Sequence, residues 1–205
     1  MYYGEKLNAW THLVGAVLAL AGAIVLVVLA ALDGDPWKVV SFSIYGTTLV
    51  LLYTFSALYH SFRGRAKEIL QKLDHQGIYL LIAGSYTPFC LVSLRGPWGW
   101  SLFGTVWALA LIGSLQEMRP KNDARILSLV IYVVMGWAVL VALVPLLEAL
   151  GTDGFIWVAA GGLLYTVGIV FYALDTRLKH AHGIWHLFVL AGSTAQYVAI
   201  LFYVL

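Results

Sequence analysis

Five side chains in this sequence are of types and spacings that can do chemistry together. Ser56 and His60 are four residues apart, His182 and His186 are four apart, and Asp74 lies between the two pairs in sequence. On a helix, residues four apart sit one above the other on one face, so each pair directs two polar groups the same way. Three neutral imidazoles are a common zinc set, binding at about 2.0–2.1 Å with water in an open fourth position. Zinc held in this way lowers the pKa of that water to about 7. Asp74 could then orient the water or take its proton. Ser56 could hold the water, or bond the second ring nitrogen of a ligand histidine. An HxxxH pair is frequent by chance, so the chemistry depends on the elements that carry these residues.

Those elements are read from composition. The chain has 205 residues, 61% hydrophobic and only 11% charged, against about 25% charged in an ordinary soluble domain. A water-soluble particle and a disordered chain are both excluded. Twelve basic against ten acidic residues give a net charge of +2, which excludes a basic nucleic-acid binder. One cysteine, Cys90, excludes an intramolecular disulfide framework and a Cys-rich zinc module.

A spanning helix needs about 20 apolar residues. Using charged residues as boundaries, seven runs reach that length: 10–32, 39–62, 75–94, 96–116, 126–147, 154–174 and 180–205. They are continuous and lack period-two alternation, which predicts helices and not a barrel. The expectation is an all-α membrane protein: a seven-transmembrane helix bundle forming a single domain over residues 1–205. The first run is too long for a signal peptide and lacks a basic lead-in, so it reads as a retained helix. Pro36 and Pro97 fall in first helical turns, where a missing N–H costs least. Pro88 and Pro145 fall inside runs and predict kinks. Gly15, Gly22, Gly161, Gly162 and Gly168 predict close helix contacts.

Ten of the twelve basic residues lie on one set of alternate loops (Lys6; Arg63, Arg65, Lys67, Lys72; Arg119, Lys121, Arg125; Arg177, Lys179), and only Lys38 and Arg95 lie on the other. The positive-inside bias then places the N-terminus in the cytoplasm and the C-terminus outside, the reverse of G-protein-coupled receptors. His60, Asp74, His182 and His186 all fall near the cytoplasmic boundary, roughly 5–10 Å below it for the histidines. The plainer reading of these histidines, as polar residues bonding carbonyls or reaching headgroups, competes with metal binding.

Other polar residues read more plainly. Asp74 also reads as a cap at the start of the third helix, and Ser56 as bonding its own helix. His180 reads as a solvated loop histidine and His75 as structural. His12, with Glu5 and Asn8, reads as an interfacial anchor or a gate over the pocket. Cys90 reads as a small apolar filler, and the basic loop Arg63–Lys72 as a contact for anionic headgroups.

The segments Ser56-Ala57-Leu58-Tyr59-His60, Lys72 to Phe89 (KLDHQGIYLLIAGSYTPF), His182-Gly183-Ile184-Trp185-His186 and Glu5 to Gly15 (EKLNAWTHLVG) closely resemble the hemolysin III family. That family is the bacterial branch of the progestin and adipoQ receptor superfamily, which includes the adiponectin receptors. The resemblance covers essentially the whole chain. It implies a Zn²⁺ ion held by His60, His182 and His186, with Asp74 on the zinc-bound water and Ser56 in support. It also implies kinship with alkaline ceramidases and a role in membrane-lipid homeostasis.

The function expected is therefore a zinc-dependent hydrolase of lipid amide or ester bonds in the cell membrane, with a membrane lipid as substrate. A non-catalytic sensor of membrane state with structural zinc is the alternative. A cytolysin, as the family name suggests, is disfavoured because no run carries a charge that could line a pore.

Overall fold

The computed structural model describes residues 4–118 and 124–205, together with backbone only at 124 and 125. Among the described residues every regular element is helical. Arg119 and Lys121, and the side chain of Arg125, all part of the orientation count, lie outside them.

The turn Asp33-Gly34-Asp35-Pro36 shows how the sequence folds the chain back on itself. Helix α1 (Lys6–Asp33) ends where Gly34 takes φ 84° and its N–H bonds the Ala30 carbonyl. Glycine adopts this left-handed conformation without a Cβ penalty. The Asp35 side chain then accepts the Trp37 N–H at 2.8 Å, with Pro36 as the first residue of α2 (Pro36–Tyr59). That is a capped start with a proline where its missing donor costs nothing.

Helix α3 (Arg65–Pro88) begins ten residues before the third apolar run. Its first turns, Arg65 to Lys72, consist largely of good helix formers. The charges there mark the edge of the apolar run and not the end of the helix. Asp74 consequently lies inside α3, which corrects its reading as an N-terminal cap. Directly after Pro88 the helix widens into a π-helical turn, Phe89–Ser93, in which the Leu94 N–H reaches back to the Phe89 carbonyl at 2.8 Å. Cys90 is buried within that turn.

Helix α4 (Pro97–Glu117) again starts on proline. Helix α5 (Ala124–Trp137) tightens into a 3₁₀ stretch, Ala138–Ala142, before α6 (Leu143–Ala173). Pro145 has no N–H to offer the Val141 carbonyl, and the tightened turn falls at that place. Within α6, Gly151 departs from helical geometry (φ 67°, ψ 175°). This break lies between the fifth and sixth runs expected from sequence. Helix α7 (Ala181–Tyr203) follows a short loop.

Among the described residues, five helical stretches are long and apolar enough to cross a membrane: Lys6–Asp33, Pro36–Tyr59, Pro97–Glu117, Ile126–Ala173 and Ala181–Tyr203. The fourth of these runs 48 residues and contains the Gly151 break. Helix α3 is not among them, because its first half is charged and its apolar half soon passes into the π turn. Large apolar side chains are exposed along the outer faces, among them Leu18, Ile24, Leu111, Val141 and Phe202. Such a surface is stable only against lipid.

Consecutive helices pack on one another, and α1 also packs on α7. Four of the five glycines expected at close contacts are there: Gly15 faces Tyr53 and Leu190, Gly22 faces Tyr197, Gly161 faces Gln196, and Gly168 faces Trp185 and Phe188. Gly162 differs, with no atom near its Cβ position, and opens on a cavity. His75 bonds the buried Glu117 carboxylate at 2.5 Å, and Ser128 bonds the other oxygen of that carboxylate at 3.0 Å. This pairing fastens α3, α4 and α5 at one end and bears out a structural role for His75.

Candidate metal centre

His60 caps the C-terminus of α2, while His182 and His186 lie on the first two turns of α7. The three rings converge: centroids are 5.0 Å apart for His60–His182 and His60–His186, and 4.8 Å for His182–His186. One nitrogen from each lies within 4.8 Å of the others, close enough to hold a single metal ion. His60 and His186 are buried. His180, by contrast, is exposed and in a left-handed conformation, so the second helical pair is His182 with His186.

The hydrogen bonds around the rings decide which nitrogens face inward. His60 Nδ1 is 2.6 Å from Glu5 Oε2, and His182 Nδ1 is 3.1 Å from Asp175 Oδ2. His186 Nδ1 is 3.1 Å from the Asn8 carbonyl and 3.2 Å from Thr11 Oγ1, whose own proton goes to the backbone. Carboxylates and carbonyls only accept, so each Nδ1 carries the ring proton and each Nε2 keeps a bare lone pair. His60 Nε2 is buried with no partner among the described residues. Three imidazoles oriented by oxygen acceptors, with lone pairs converging, form a donor set that fits zinc.

Glu5 does more than orient one ring. Its second oxygen accepts a bond from Lys67 Nζ at 2.9 Å, and Asn8 Nδ2 donates to its first at 2.8 Å. The start of α1 is thereby tied to α2 and α3. The His60 bond, helped by Lys67, holds the Glu5 carboxyl well below the usual carboxylate range against the opposing effect of burial. The sequence reading placed Glu5 near the site without this role and missed Asp175. A metal-bound histidine calls for an acceptor on its other nitrogen, but no fixed spacing says where that acceptor lies.

Ser56 is buried one turn before His60. The Asp74 carboxylate lies within electrostatic reach of His60 and His182 and beside the Ser56 hydroxyl. Ser56, Asp74, His182 and His186 line one cavity of about 530 Å³. Most of its remaining wall is apolar, including Ile78, Ile82, Ile169 and Val189. His12 lies within the site rather than at an interfacial anchor, stacked on His186.

The fold and this cluster define a multi-pass helical protein of the cell membrane with a histidine site that could bind a metal near one end of the bundle. Residues 2–197 match the family described as Haemolysin-III related, and the chain belongs to that family. It is 44% identical to Hemolysin-3 of Bacillus cereus over 98% of this chain and 92% of that one. It is 42% identical to the Hemolysin-3 homolog of Bacillus subtilis (strain 168), over 97% and 93% of the two chains. The human monocyte to macrophage differentiation factor is 29% identical over 97% of this chain and 83% of its own.

Proposed function

We propose that the protein is a zinc-dependent hydrolase of lipid amide or ester bonds, built as seven crossings with its N-terminus and metal centre on the cytoplasmic side. The observation that carries this reading is that one mostly apolar cavity reaches His182, His186, Asp74 and Ser56 together. Ligand pockets are of this kind, mostly apolar with a few polar groups converging at one place.

His60, His182 and His186 would hold the zinc, which supplies a Lewis acid and lowers the pKa of water to about 7. Asp74 accepts a proton from the attacking water at its carboxylate oxygen and returns it to the departing amine or alcohol. The Ser56 hydroxyl holds that carboxylate and the water in register. The isoleucine and valine wall takes up an acyl chain and keeps bulk water from the scissile bond. Glu5 and Asp175 fix the two imidazoles that they touch.

The test is elemental analysis of purified protein, together with turnover of a panel of N-acyl and O-acyl lipids. The wild type should carry about one zinc per chain, and His186→Ala should lose both the metal and the turnover. Metal-free protein with full lipid turnover would overturn the reading. Zinc retained without turnover on any lipid would replace it with a sensor whose metal is structural.

A further inference from the structure

His12 lies one turn beyond Asn8 on α1 and is only 3% exposed. The ring is stacked flat on that of the ligand His186, with centroids 3.6 Å apart and planes 9° apart, and meets Tyr53 edge-on at 5.0 Å. It does not belong to the group whose nitrogens converge. Neither of its nitrogens has a hydrogen-bond partner of good geometry among the described residues, although the His186 backbone lies nearby.

An imidazole always carries at least one N–H, and when neutral also one lone pair. Burying both unmade is costly, and buried side-chain polar atoms usually find at least one partner. A phenylalanine or methionine would fill this space without that cost, so packing alone does not account for a histidine here. No described residue supplies the partner, and His12 lines the cavity through which one from outside the protein would come. That cavity extends from His182 at the start of α7 to Gln196, fourteen residues later on the same helix, or roughly 20 Å. It is long and mostly apolar, with Asp74, His182 and His186 toward one end and single polar side chains such as Ser85, Thr166 and Gln196 farther along. Such a space suits a single alkyl chain with a polar head.

We propose that His12 is a ligand contact, whose ring hydrogen-bonds the carbonyl or hydroxyl group of a single-chain acyl amphiphile with its tail in the cavity. This rests on the lipid reading above but not on the metal.

The test measures binding of a fluorescent N-dodecanoyl amide, and of the matching N-dodecyl amine without the carbonyl. Purified full-length protein is used in both zinc-loaded and chelator-stripped forms. The wild type should bind the acyl probe more tightly than the alkyl probe in both forms. His12→Phe should weaken the acyl probe roughly tenfold, leave the alkyl probe unchanged and retain the metal, while His12→Gln keeps most of the preference. Where His12→Phe does not fold, His12→Met supplies the same comparison. Equal binding of the acyl probe by wild type and His12→Phe overturns the proposal, as does a wild type with no saturable binding. Loss of metal with the acyl preference intact also overturns it, because His12 would then only prop His186. A wild type without zinc that still shows the His12-dependent preference refutes the zinc reading and sustains this one.

Discussion

At the scale of single residues, the oxygen acceptors behind the rings matter nearly as much as the rings. Glu5 and Asp175 hold His60 and His182 in the tautomer that leaves Nε2 bare. We predict that Glu5→Gln and Asp175→Asn each weaken zinc binding by about 10–100-fold without abolishing it, read by competition with a chelator of known affinity. Unchanged affinity in both variants would show that the rings are fixed by packing. The three imidazoles that lie close enough to hold a metal were named from the sequence through the family motifs, since an HxxxH pair alone is frequent by chance. The role of Glu5 was not, since this residue lies 55 positions from the ring it orients, and such pairings exist only after the helices assemble. His12 was read as an anchor or a gate over the pocket, and its contact with His186 was hidden for the same reason. Its residue type was plain, but its stacking partner is on α7.

At the scale of elements, charge boundaries located the apolar runs well and the helix ends less well. Helix α3 starts at Arg65 because its charged first turns are good helix formers, although they lie outside the run. The kinks expected at Pro88 and Pro145 have specific forms, a π turn after the first and a 3₁₀ stretch before the second. The π turn depends on Gly99 of α4, where an added Cβ would lie 2.0 Å from the Cys90 carbonyl oxygen and 2.6 Å from that of Leu94. These are backbone atoms and cannot rotate aside. Gly99→Ala should therefore destabilise the protein by about 1–3 kcal/mol or more. Gly104→Ala, on the same helix with nothing within 4 Å, should be neutral or stabilising by up to about 1 kcal/mol. Thermal denaturation in detergent compares the two, and equal melting temperatures would contradict the packing argument.

At the scale of the whole molecule, the three imidazoles join α2 to α7, helices that otherwise meet through contacts such as Tyr53 Oη to Ser193 Oγ at 2.7 Å. A metal bound only by the folded state stabilises it by about 2.7 kcal/mol at one hundred times its dissociation constant. Zinc should accordingly raise the melting temperature of the wild type, and His60→Ala should show no such rise. The proposed orientation is tested by cysteine labelling of intact cells. Cys90 is buried, so Arg95→Cys should react with an impermeant maleimide from outside and Lys179→Cys should not. The reverse pattern would invert the topology and move the metal centre to the outer face.

Two of the three imidazoles belong to α7, and His182 lies 122 positions after His60. A nascent chain that has delivered every earlier segment therefore offers a cation one nitrogen, which is too few to retain it. On the zinc reading, capture of the ion waits for α7 and marks its insertion. Ribosome-stalled chains ending before position 182 should carry no zinc, and chains stalled after α7 has been inserted should carry it.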